Sequence, residues 1–436
     1  MRFPRLHGWF RRLSLGLAAI AVLATLALLV YQIVVRQRWK RFERELAESR
    51  AALPYVAPGR VPLLEPRVPG NAWDGYFAVL GQMPPSDSQE CIAVNRVLYK
   101  KAKPEEEEIA RSCVERLRPA LDTLLAAARC ERADARGFVL PGEGFARFRP
   151  AGALGVIARL DASLRRDAGD EAGADLKLAA LAQFGLDVCR FGDGLGCLAG
   201  VGQLEGVLQE YVELIAAPGM GADQLETVAQ LCEAIESNLP TSLQIRDFLH
   251  VGESLVLVEI PDDPHPWYRA HRFLHAREAY EPFKARFIFA PRAFSIREAI
   301  VEFWDAWRRT RSIFEGAESR RYSDIRADLD RDNQLRGDTW NPLVQADAWM
   351  FGIESSALRL RAHCRLLRAA IQLRQGLSPA DPRWPVDPYS LKAIGYRTEG
   401  DRAVLWSEGE DGDQGGLGIW AAYGHGNDIV LVLRSP

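Results

Sequence analysis

The sequence predicts a mainly α-helical protein with an N-terminal transmembrane helix, a helical-hairpin array and a small C-terminal antiparallel β module. Three observations carry this. Leu13 to Val35 contains no charged residue. From Asn71 onward, apolar residues recur at helical spacing for about three hundred residues. The last fifty or so residues switch to short apolar runs broken by glycine and acids, which is a strand grammar. With 48% hydrophobic and 26% charged residues the remainder is ordinary globular material. A net charge of -3 supplies no general basic field, so no nucleic-acid partner is expected.

Residues 1–12 form a short cationic tail carrying Arg2, Arg5, Arg11 and Arg12. The uncharged run 13–35 amounts to about 34 Å of helix, enough to cross a bilayer core. It is longer than a signal-peptide core, and no small-residue cleavage pattern follows it, so an uncleaved anchor is expected. Arg36, Arg38, Lys40 and Arg41 on its far side nearly balance the cations before it, and charge alone does not orient the span. Trp39, Phe42, Leu46 and Leu53 lie at helical spacing, so 36–53 reads as a juxtamembrane continuation of the same helix. Pro54 ends it, and the five prolines of 54–70 read as an extended linker.

The helical array is expected over 71–375. Its clearest start is Pro104 followed by four glutamates, because proline suits the first helical position and acids complement the helix dipole. Further helices read as 153–168, 174–190, 203–217 and 223–239, with Asp223 and Glu226 spaced as a capping box. Glycine-containing turns between them suggest antiparallel pairs of tetratricopeptide-like stacking, without that repeat's full consensus. The run Leu255 to Ile260 reads either as a strand or as a helix end. Helices resume at 268–286, 295–315 and 340–375, and Ile296, Ile300, Phe303, Trp304 and Trp307 mark a core-facing aromatic stripe.

Motifs for catalysis are sparse. His271 and His275 share a helix face with Glu278, a spacing able to bind zinc, but position 272 is arginine and the zincin base is missing. Gly194-Leu195-Gly196 lacks the preceding strand that a dinucleotide fingerprint needs, and it reads as a loop. No C-x-x-C pair occurs among the seven cysteines. Cys113 and Cys232 fall on apolar helix positions as core residues. In an oxidising compartment some could pair, with Cys189 and Cys197 nearest in sequence. Glu410, Asp411 and Asp413 crowd a glycine-rich turn, with Asp428 at the start of the next strand. Hard oxygens on such a turn suit calcium, while Asp and Gly also favour turns on their own account. Calcium is therefore the one candidate cofactor.

The segment 376–436 carries Asp387-Pro388-Tyr389, then Tyr396, Leu405-Trp406-Ser407, Gly409-Glu410-Asp411-Gly412 and Asp428-Ile429. In that order it resembles the C-terminal module of the major pseudopilin of type II secretion, over about 50 of 436 residues. The resemblance implies a small sheet with a calcium-binding loop at Asp411, Asp413 and Asp428. The chain departs from a pilin at its start. Gly8-Trp9 mimics the processing site, but Leu13 stands where the fifth mature residue should be glutamate. As a whole, the chain resembles bacterial membrane-anchored helical proteins that carry this module. That implies a single-pass protein of the bacterial inner membrane with its bulk outside the cytoplasm. The expected function is an envelope interaction or scaffold protein with a protein partner. Alternatives are a metal-dependent hydrolase using His271, His275 and Glu278, and an assembly factor of secretion or pilus-like machinery.

Overall fold

A computed structural model describes residues 4–52, 63–134, 148–190, 194–216, 220–262, 292–337, 351–409, 417–419 and 428–434. The protein is mainly helical, with twelve α-helices among the described residues. The first, α1 (Pro4–Ala52), runs unbroken for 49 residues. That is about 73 Å at 1.5 Å per residue. Its apolar side chains from Leu15 to Val34 stand exposed. This stretch is long and apolar enough to cross a membrane. The hydroxyl of Thr25 donates back to the carbonyl of Ala21 at 2.8 Å, so it needs no solvent partner.

At Val35, only 2% exposed, the same helix becomes part of the folded body. Val35, Trp39, Phe42 and Leu46 are buried, and the last three share a core with α9 (Ser242–Leu257) and α10 (Arg292–Phe314). Phe42 meets Trp304 edge to face at 5.3 Å. Burying each of these side chains contributes about 2 kcal/mol. Polar contacts flank the seam. Arg38 pairs with Asp305 at 2.8 Å, and the Glu45 carboxylate accepts from Trp304 Nε1 at 2.9 Å and Arg308 at 3.1 Å. Burial works to lift the Glu45 carboxyl, but the bonds from Arg41 and Trp304 outweigh it and hold it below the usual range.

The linker does not stay extended to its end. Leu64 is buried, and the backbone N–H of Leu63 donates to Gln183 at 2.7 Å. A short strand β1 (Val68–Asn71) then pairs in parallel with β2 (Cys130–Arg132), a contact the helical periodicity did not foretell. Between them lie α2 (Ala72–Leu80), α3 (Gln89–Leu98) and α4 (Pro104–Ala128). The start of α4 is as the proline and acids predict. Glu106 closes it by accepting from the N–H of Lys103 at 2.9 Å.

The array continues as α5 (Ala151–Asp167), α6 (Glu171–Cys189), α7 (Gly194–Ala216) and α8 (Ala222–Asn238). Gly194 to Gly196 forms the first turn of α7 and is not a loop. The crossing of α6 and α7 is tight. A Cβ on Gly200 would lie 2.5 Å from the carbonyl oxygen of Gly185, so only glycine permits this approach. The cap of α8 is shifted from expectation: Gly221 is the N-cap and its N–H donates to Gln224 at 3.2 Å, while Glu226 accepts from Gln230. The run 255–257 ends helix α9, followed by a 3-10 turn at Ile260–Asp262, so the strand alternative is overturned. Thr241 and Gln244 form the capping box of α9, at 2.9 and 3.1 Å. Two further helices, α11 (Tyr322–Gly337) and α12 (Phe351–Arg374), complete the helical part. The candidate helix 268–286 lies outside the described residues.

The C-terminal sheet has the order β3 (Gly395–Glu399), β4 (Arg402–Ser407), β6 (Asp428–Arg434), β5 (Leu417–Ile419). Its first three strands are antiparallel, as expected, and β5 adds a parallel edge. Leu405, Ile429, Leu431 and Leu433 point to one face and join the same core as α12 and the array. The sheet is thus a lid on the helical core. On its opposite face the indole of Trp406 lies over Gly395, where an added Cβ would come within 2.1 Å of the ring. Arg397 stacks on the same indole at 5.7 Å.

Candidate functional site

Three arginines form an ordered row on α12. Arg361, Arg365 and Arg368 are spaced four and three residues apart and therefore share one helix face. They line a cleft of about 390 Å³. Helix α8 contributes Glu233 and Glu236, α10 ends at its floor with Phe314, and α11 supplies Tyr322 and Ile325. The C-terminal module closes one side with Pro388 and Leu391. The cleft therefore lies where the array, the last helices and the sheet's leading turn meet.

Each arginine has a distinct geometry. Arg365 bonds Glu236 at 2.6 Å and the carbonyl of Val386 at 2.7 Å, tying the module to α8. Arg368 reaches Glu236 only at 3.4 Å. Arg361 donates through one nitrogen to the carbonyls of Pro240 at 3.0 Å and Leu239 at 3.4 Å, just beyond the end of α8. Those carbonyls have no intrahelical donor, so a guanidinium is a natural cap. Burial lowers the basicity of Arg361, with Glu318 and Glu236 nearby acting the other way. Arg374, further along α12, caps α7 in the same manner through the carbonyl of Ile215 at 3.1 Å.

The turn beside the cleft is organised by Asp387, 1% exposed. Its carboxylate accepts from Ser390 N–H at 3.1 Å, Ser390 Oγ at 2.7 Å and Glu408 N–H at 3.3 Å, and from the Ser407 hydroxyl. The Asp-Pro-Tyr turn and the end of the Leu-Trp-Ser strand, twenty residues apart in sequence, are thereby joined at one carboxylate. Tyr389 passes the order on: its carbonyl accepts from Tyr322 N–H at 2.9 Å, and the two rings meet edge to face at 5.5 Å.

The residues singled out from sequence distribute differently. Glu410, Asp411 and Asp413 lie outside the described residues, as do His271, His275 and Glu278. Asp428 opens β6 with its backbone registered against Leu417. Among the described residues there is no group of three or more His, Cys, Asp or Glu arranged to hold a metal. All seven cysteines are free thiols, and six of them, Cys113 and Cys232 included, are buried. The Cys189 thiol donates to the carbonyl of Cys197 at 3.6 Å. Sequence reasoning missed the arginine row, although its spacing among the apolar residues of 357–371 was the available signal. Compared with known proteins, the chain matches no family model, no curated protein and no solved structure.

Proposed function

We propose that this chain is a membrane-anchored interaction protein. It would hold a helical domain at a fixed pose on the bilayer and present the cleft on that domain to a protein partner. One observation carries the reading. Helix α1 is largely exposed and apolar from Leu15 to Val34, about 30 Å of helix that matches a hydrocarbon core. It then enters the folded body without a break. The hydroxyl of Tyr31, near the end of the span, donates to Glu298 of α10, a contact that would hold the domain close to the membrane surface.

Single-pass insertion in a bacterial inner membrane, with the domain on the extracytoplasmic side, completes the proposal. A phosphatase reporter fused after Pro436 tests the side, and activity only with a cytoplasmic reporter would reverse it. Cross-linking in membranes followed by capture of the full chain tests the interaction. A reproducible protein partner is expected, and its absence under several cross-linkers would count decisively against the reading. The C-terminal module supports a narrower version, an assembly factor of pilus-like machinery. Asp387 joins two of the segments that carry the pseudopilin resemblance, and capture of secretion components would favour that version.

A further inference from the structure

We infer that the cleft between α8, α11 and α12 takes a peptide segment that offers a single carboxylate beside an apolar side chain. This deepens the interaction reading by naming the chemistry of the partner. The cations of the cleft are unequally neutralised. Arg365 already satisfies Glu236 at 2.6 Å, whereas Arg368 touches that carboxylate only at 3.4 Å. Arg361 is 9% exposed and forms no ion pair with a carboxylate among the described residues. A guanidinium has five N–H donors, and both carbonyl bonds of Arg361 leave from one nitrogen. Two forks thus face the cleft with donors to spare, and a carboxylate is the group whose two oxygens match a fork.

The remaining lining selects among anions. Arg320 also lines the cleft but is paired with Asp328, so Glu233, Glu236 and Glu318 make a doubly charged phosphate costly, while one carboxylate is balanced by Arg361 and Arg368. Phe314, Ile325, Leu358 and Leu391 supply an apolar wall for a neighbouring side chain. A volume of about 390 Å³ holds a few side chains of an extended segment and not a folded surface.

The test uses the full chain in detergent and a C-terminally amidated Gly-Gly-Leu-Asp-Leu-Gly-Gly carrying a BODIPY label at its N-terminus, so that Asp is its one carboxylate, read by anisotropy. The peptide with Asn in place of Asp should bind at least about tenfold more weakly, since a charged hydrogen-bonded contact is worth about that factor, and one with both Leu changed to Gly should lose at least as much through lost apolar burial. Arg361→Met should abolish binding but also removes the cap of α8. Arg368→Gln is the cleaner variant, expected to weaken binding about tenfold with unchanged melting. Equal binding of the Asp and Asn peptides, no binding of either, an unaltered affinity in Arg368→Gln, or stronger competition by inorganic phosphate than by acetate would overturn the inference. A partner cross-linked equally well by wild type and Arg368→Gln would reject the cleft and leave the interaction reading standing. Failure to capture any partner would reject that reading itself.

Discussion

Replacing Asp387 by asparagine exchanges one oxygen for an amide nitrogen at constant volume. One carboxylate oxygen accepts from Ser390 N–H, Ser390 Oγ and Glu408 N–H; the other accepts from Ser407 Oγ and, at 3.4 Å, from Tyr389 N–H. Two backbone N–H donors on the first oxygen cannot reverse, so the new NH₂ must occupy the second position. There the Ser407 hydroxyl can turn to accept, but the Tyr389 N–H is left facing a donor. The surviving bonds lose their charge assistance. Hydrogen bonds to charged groups contribute about 1.5 to 3 kcal/mol each against about 1 for neutral ones, so three weakened bonds imply a loss of about 3 kcal/mol. Asp387→Ala, which orphans every donor, should cost more. Urea unfolding of the detergent-solubilised chain measures the loss, and amide exchange at Ser390 and Glu408 locates it. A loss in Asp387→Asn below about 1 kcal/mol, with protection at both amides unchanged, would refute the hub assignment.

Other expectations follow from single contacts. Gly395→Ala should expel the Trp406 indole and lower stability by about 1 to 3 kcal/mol, read as a changed near-ultraviolet Trp signal; an unaltered signal would contradict the packing. His363 is buried, and burial, with Arg359 nearby, depresses it to about 3 from an ordinary 6.5. Because the unfolded chain then binds the extra proton, its contribution is complete above pH 6.5 and declines as pH falls toward 3. Stability should drop by about 2 kcal/mol between pH 7 and 5 from this group alone. His363→Gln should flatten that slope, and an unchanged slope would reject the assignment. Burial pushes the Cys113 thiol up to about 11 and lifts Cys364 well above its usual value, while Cys130 is only half buried. Native protein should therefore show a single fast thiol toward a disulfide reagent at pH 8, lost in Cys130→Ser; several fast thiols would argue against the packing around them.

How much was legible depended on whether a signal was local. The span, the Pro104 helix start and the aromatic stripe of α10 were readable because period and first-turn chemistry are written in consecutive residues. The capping box of α9 was equally local, in Thr241-x-x-Gln244, and went unread beside the more conspicuous Asp223. Helix α11 was missed for a physical reason: few of its residues are apolar, with Ile325 and Leu329 its main buried anchors, and it is held through contacts such as Thr310 to Asp332 at 2.7 Å. The cleft could not be read at all. It depends on α12 meeting α8 and α11, and on Arg361 capping a helix more than a hundred residues earlier. Asp387 stands in the sequence only as part of the Asp-Pro-Tyr segment, and its bonds to Ser407 and Glu408 appear only once β4 folds back on it.

The continuity of α1 has a mechanical consequence. From Leu17 to Ala52 the helix holds neither glycine nor proline, the usual causes of a kink, and its second half is clamped by Trp39, Phe42 and Leu46. A span longer than the local hydrocarbon thickness relieves the mismatch by leaning. In the membrane-anchored arrangement proposed above, with no joint between the rod and the body fastened to it, the body would lean by the same angle. The thickness of the surrounding lipid would then set the direction in which the domain faces, making the protein a gauge whose pointer is its own folded mass.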